Sequence, residues 1–99
     1  MHESTMKQMR ARLTAELAPL ELHVDDDSHL HAGHVGAKSG GGHFRVCAVS
    51  SKFEGLGRVQ RHRLVYDIFQ GLMQRDIHAL ALTLLTPAEA QRAKQPHQT

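Results

Sequence analysis

Ninety-nine residues, 40% hydrophobic and 22% charged, suit one soluble domain with a modest core and exclude a chain too polar to fold. No apolar run approaches the ~20 residues of a membrane span, and a formal charge of +2 is too small to establish nucleic-acid binding by itself. The single cysteine, Cys47, cannot close an internal disulfide, and the opening stretch MHESTMKQMRARL lacks an apolar signal core, so a cytoplasmic location is expected.

Residues 5–18 are predicted to form a helix. Thr5 and Gln8 match a capping box, Met6, Met9, Leu13 and Leu17 recur at helical spacing, and Pro19 ends it. LELHVD (20–25) alternates, with Leu20, Leu22 and Val24 predicted inward and Glu21, His23 and Asp25 outward, the pattern of a half-buried strand. Residues 26–42 have no periodicity and end in a glycine run, which reads as a mobile loop. HFRVCAVS (43–50) resumes strand character, with Phe44, Val46 and Ala48 on one face, and pairs most simply antiparallel with the first strand. In FEGLG (53–57), Phe53 and Leu56 are expected anchors, while Gly55 and Gly57 permit unusual backbone angles.

A second helix is predicted over roughly 58–75, with Leu64, Val65, Ile68, Phe69 and Leu72 inward and Arg63, Asp67, Gln70 and Gln74 outward. IHALALTL (77–84) is a third strand, with His78 sharing the parity of Leu80, Leu82 and Leu84. The strand-helix-strand spacing predicts parallel pairing through a crossover. TPAE (86–89) announces a terminal helix, and 91–99 read as a flexible tail. The expectation is a single α+β domain spanning 1–99, with its core at about 5–90, a three-stranded mixed sheet and the order α-β-β-α-β-α.

Three stretches offer chemistry. HLHAGHVGAKSGGGH (29–43) holds His29, His31, His34 and His43 among glycines. Neutral imidazoles suit zinc, copper, nickel or iron, yet the spacing matches no rigid metal template, and a solvated loop with incidental histidines is the bland alternative. His78 opens a strand, where a histidine is either a partly buried hydrogen-bonding residue or a ligand at the sheet rim. Arg58, Arg61, His62 and Arg63 crowd a helix N-terminus, where guanidinium and backbone N–H groups suit phosphates. A solvated face, with Asp67 pairing to Arg63, is the alternative. No nucleophile elbow, phosphate loop or partnered cysteine is present in the sequence, so no enzyme is expected.

Together, LELHVDDDSHLHAGH, HFRVCAVSSKFEGLGRVQRHRLVYDIF and IHALALTLLTPAE closely resemble the BolA family from about residue 8 to residue 90. The resemblance implies a fold similar to class II KH domains. FEGLG replaces the Gly-x-x-Gly clamp of true KH domains, however, so KH-like RNA binding is not implied. It implies partnership with a monothiol glutaredoxin around a shared [2Fe-2S] cluster, with glutathione as a further thiol, in cluster trafficking and iron homeostasis. No cofactor is then expected in the isolated chain, which would be a monomer or weak homodimer.

By position in the family's motifs, the implied metal ligands are His78 and a loop histidine. His34 corresponds best, with His31 and His29 as alternates. Two imidazoles on one iron resemble the Rieske arrangement. Some family members are also described as DNA-binding regulators of morphology and stress response, for which Arg58, Arg61, His62 and Arg63 would be the contacts. A stand-alone metal chaperone using the loop histidines ranks behind both.

Overall fold

The computed structural model describes residues 2–28 and 41–94. The elements run α1 (Glu3–Leu17), β1 (Glu21–Asp26), β2 (Gly42–Val49), α2 (Arg58–Ile68), β3 (Ile77–Leu85) and α3 (Pro87–Lys94), with a short 3-10 turn at Ser51–Phe53. The expected order and the mixed sheet are both observed. Strand order is β1-β2-β3, with β1 antiparallel and β3 parallel to β2.

Alternation in the strands and helical spacing in α1 and α2 converge on one apolar cluster. Met9, Leu13 and Leu17 from α1 and Val65 from α2 meet Val24, Phe44, Val46, Ala48 and Leu84 from the sheet. Phe53, Phe69 and Leu72 plug the ends of this layer and are fully buried, each contributing roughly 1.5–3 kcal/mol of apolar burial.

Several boundaries differ from the sequence reading. Thr5 is not a cap: α1 starts two residues earlier, and Thr5 lies buried on its inward face. Ala18 ends the helix in a left-handed conformation (φ 43°), its N–H donating to the Thr14 carbonyl before Pro19. Leu20, predicted inward, precedes β1 and is 72% exposed. Gly55 takes a positive φ as expected (82°), but Gly57 does not, with φ −76°.

Helix α2 ends at Ile68 rather than near 75, because Gly71 adopts φ 91°. Arg12 of α1 then donates to the Ile68 and Gln70 carbonyls, at 3.1 and 2.8 Å. The first is among the carbonyls a helix end leaves without partners, and the second belongs to the turn that follows. Arg63 and Asp67 form no ion pair among the described residues.

The predicted cap of the last helix is reciprocal. Thr86 Oγ1 accepts from the Glu89 backbone N–H, and Glu89 Oε1 accepts from the Thr86 N–H. The expected tail is helical through Lys94, which pairs with Glu21. Since β1 and β3 are opposite edges of the sheet, α3 must pass from one edge to the other over the end of β2. Val49, outward by parity, is accordingly buried.

Glu89 also holds Arg61 of α2 in a two-pronged ion pair, at 2.6 and 3.1 Å. That hydrogen bond, followed by the Thr86 N–H, lowers the Glu89 carboxyl from 4.5 to about 2. A carboxylate whose folded pKa is depressed adds stability that is complete above the unfolded value and is lost as pH falls through the folded one. Glu89→Gln is therefore expected to flatten the dependence of the unfolding midpoint on pH between about 4.5 and 2. An unchanged acid limb in a thermal-melt series would refute this.

Candidate functional site

β2 and β3 run parallel, so both strands begin at the same end of the sheet, and β1 ends there. Residues 28 and 41, which flank the histidine-rich stretch, therefore both sit at this end, residue 28 beside the start of β2 and residue 41 beside the start of β3. Hydrogen bonds fix the first of these flanks. The Ser28 N–H donates to Asp26 Oδ1 at 2.8 Å, the His43 N–H donates to Ser28 Oγ at 3.0 Å, and the Asp27 N–H donates to the His43 carbonyl at 2.7 Å. Asp27 is further held by Arg45 at 2.7 Å.

His78 does not follow the parity predicted for it. Gly42 aligns with Ile77, but His43 aligns with Ala79, so His78 is an extra residue at a β-bulge. A bulge re-aims side chains at sheet ends. Ile77 stays buried in the core, whereas His78 and Ala79 are both exposed. Without the bulge His78 would project among Leu80, Leu82 and Leu84. With it, His78 lies on the outward face, its ring centroid 5.1 Å from that of His43 at a tilt of 52°.

Gly41 is part of this arrangement. A Cβ there would lie 2.8 Å from the His78 Cβ and 3.3 Å from its backbone nitrogen. The atoms in the way are backbone or Cβ, which cannot swing aside.

His78 and His43 are thus brought together at the rim. His34, His31 and His29 lie outside the described residues. The basic group is divided. Arg58 and Arg63 are exposed and His62 is half-buried, but Arg61 is turned inward, with only 13% of its side chain exposed. Besides Glu89, it donates to the Leu56 and Leu84 carbonyls at 2.8 and 3.0 Å. Its guanidinium carbon lies 5.9 Å from the Phe53 ring centre. Arg61 is committed to joining α2, β3 and α3.

Sequence reasoning missed the His43–His78 pair and the role of Gly41. The available signal was the parallel pairing itself, because two strands that start side by side bring their first residues together.

The family model for BolA-like proteins matches residues 13–89. The chain belongs to the BolA family. The BolA domain is 42% identical over 91 residues to Protein BOLA1, chloroplastic, of Arabidopsis thaliana, covering 89% of this chain and 57% of that protein. It is 36% identical over 98 residues to the DNA-binding transcriptional regulator BolA of Haemophilus influenzae, covering 97% and 92%. Among solved structures, the BolA domain of SufE1 from Arabidopsis thaliana superimposes with a TM-score of 0.77 at 41% identity, covering 90% of this chain and 98% of that one.

The chain therefore spans little more than half of the chloroplastic relative. It spans 24% of SufE-like protein 1, chloroplastic/mitochondrial, from the same plant. These names place BolA relatives in organelles, so family membership does not fix a compartment. No helix among the described residues is long and apolar enough to cross a membrane.

Proposed function

We propose that this BolA domain is a non-enzymatic adaptor that binds a monothiol glutaredoxin and co-ligates a bridging [2Fe-2S] cluster, acting in cluster trafficking and iron homeostasis. His78 supplies one imidazole and a loop histidine the other, His34 first, with His31 and His29 as alternates. Glutaredoxin and glutathione supply the thiolates. The observation that carries this reading is the bulge that takes His78 off the leucine face and exposes it at the end of the sheet from which residues 28 and 41 lead into the histidine-rich stretch.

Imidazole nitrogen is a fitting donor for an iron-sulfur centre. Among the described residues no three possible ligands converge, so the reading draws its remaining donors from the loop and from the partner. The test is anaerobic reconstitution with a monothiol glutaredoxin and glutathione, followed by visible absorption and circular dichroism. A heteromeric spectrum distinct from that of the glutaredoxin homodimer is expected, and it should change in His34→Ala. Failure to form any mixed complex would remove the proposal.

A second reading, DNA binding, is favoured by the name of the Haemophilus relative and by the exposure of Arg58 and Arg63 at the start of α2. With Arg61 engaged internally, these two cations and His62 are the available contacts. Neutralising Arg58 and Arg63 together is expected to reduce the slope of log affinity against log salt by about 2. An unchanged slope in a fluorescence-anisotropy titration would exclude them as phosphate contacts.

A further inference from the structure

Among the described residues β3 is an edge strand, and its outer edge is open only in the middle. The Ser50 N–H donates to the Leu85 carbonyl, so the Leu85 peptide faces β2. Alternation along the strand then turns the N–H and C=O groups of Leu80, Leu82 and Leu84 away from β2. The Leu84 carbonyl is taken by Arg61, and the bulge at His78 interrupts the other end. Between them lies a window from Ala79 to Thr83, in which Ala79, Ala81 and Thr83 are exposed.

Proteins usually blunt such an edge with charged residues or proline, but Ile77–Leu85 contains none of either. A groove of about 680 Å³ adjoins the window, with Leu56 and Leu82 among its walls and Arg58 and His62 at its margin. Its one acidic residue, Glu89, is already paired with Arg61. Arg75 lies with His78 at the opposite end of the strand. The edge is therefore uncharged along its length, with the exposed Arg58 at its groove end and Arg75 beside Asp76 at the other.

We propose that this edge is a strand-addition site for an extended peptide segment that is acidic at the end meeting Arg58. Its main chain pairs with Leu80 and Leu82, and its carboxylates face Arg58 at the groove end. Two observations select this occupant. Leu80 and Leu82 each present a donor and an acceptor at the spacing of alternate strand residues, which another peptide main chain matches and a nucleic-acid backbone does not. A second copy paired antiparallel about Ala81 would bring only the net-neutral Arg75–Asp76 end of one chain to the Arg58 end of the other, whereas an acidic segment complements Arg58. The site stands apart from the cluster reading and does not depend on it.

The test uses the full ¹⁵N-labelled chain and a synthetic nonapeptide, Asp-Glu-Val-Thr-Val-Thr-Val-Glu-Asp. Two comparators are the same peptide N-methylated at alternate central residues and one with lysine in place of every acid. Slowed amide exchange at Leu80 and Leu82 with the first peptide, lost with both comparators, is the expected result. Arg58→Glu keeps a residue compatible with a helix N-terminus and should weaken binding on the order of threefold, the scale of an exposed ion pair. Absence of protection at Leu80 and Leu82 would overturn the proposal, as would equal binding of the lysine peptide. Protection of the same amides by a thymidine dodecamer but not by the peptide would assign the groove to nucleic acid. Protection that rises with protein concentration alone, with a dimer in sedimentation, would assign it to a second copy.

Discussion

In His78→Ala the mixed cluster with glutaredoxin is expected to disappear or to take up a different visible circular dichroism spectrum, while the unfolding midpoint of the isolated domain stays essentially unchanged. His78 is exposed and lies outside the apolar core, so its truncation opens none of the core cavities that account for large losses of stability. Removing a ligand without removing core surface separates function from folding. Of the neighbouring substitutions, Gly41→Ala should resemble His78→Ala in its spectrum, because the added Cβ presses on the His78 backbone. An unaltered mixed spectrum in His78→Ala would refute the assignment of this residue. A lowered melting temperature would instead mean that its ring contributes to the fold.

Gly42→Ala is expected to behave in the opposite way, losing stability before function. Gly42 is buried at the start of β2, where the Phe44 ring lies back along the strand over it and the His2 ring meets Phe44 edge-on at 5.6 Å. A Cβ at Gly42 would overlap that ring, and Phe44 is itself sealed in the core with 2% exposure. Forcing extra volume into a packed site costs about 1–3 kcal/mol. A fall in the urea midpoint that, multiplied by an unchanged slope, equals that loss is the expected signature. Reconstitution of whatever protein remains folded should still give the mixed cluster. An unfolding free energy within about 0.3 kcal/mol of the parent, on the order of the scatter between independent sites, would mean that Phe44 repacks without cost.

These two glycines were visible in the sequence only as part of a flexible run. Their opposite roles come from what each touches across the fold, His78 in one case and Phe44 with His2 in the other. The basic segment is similar: RVQRHR reads as a row of equivalent cations, yet Arg61 alone reaches Glu89, which lies 28 residues further along the chain.

The sequence by itself determined the local elements, because strand and helix periodicities and the Thr86–Glu89 cap depend on residues within one or two turns of each other. It also determined the family, and with it the choice of His78 as a candidate ligand. Only the tertiary structure decided how that histidine is presented. The bulge is a property of the register between β2 and β3, and one inserted residue reverses which face a side chain occupies. No period within IHALALTL contains that information. The end of α2 differs from its expected position for a related reason. Gly71 in a left-handed conformation, with Arg12 reaching across to the Ile68 carbonyl, decides where that helix stops, and such a contact exists only once the elements have packed.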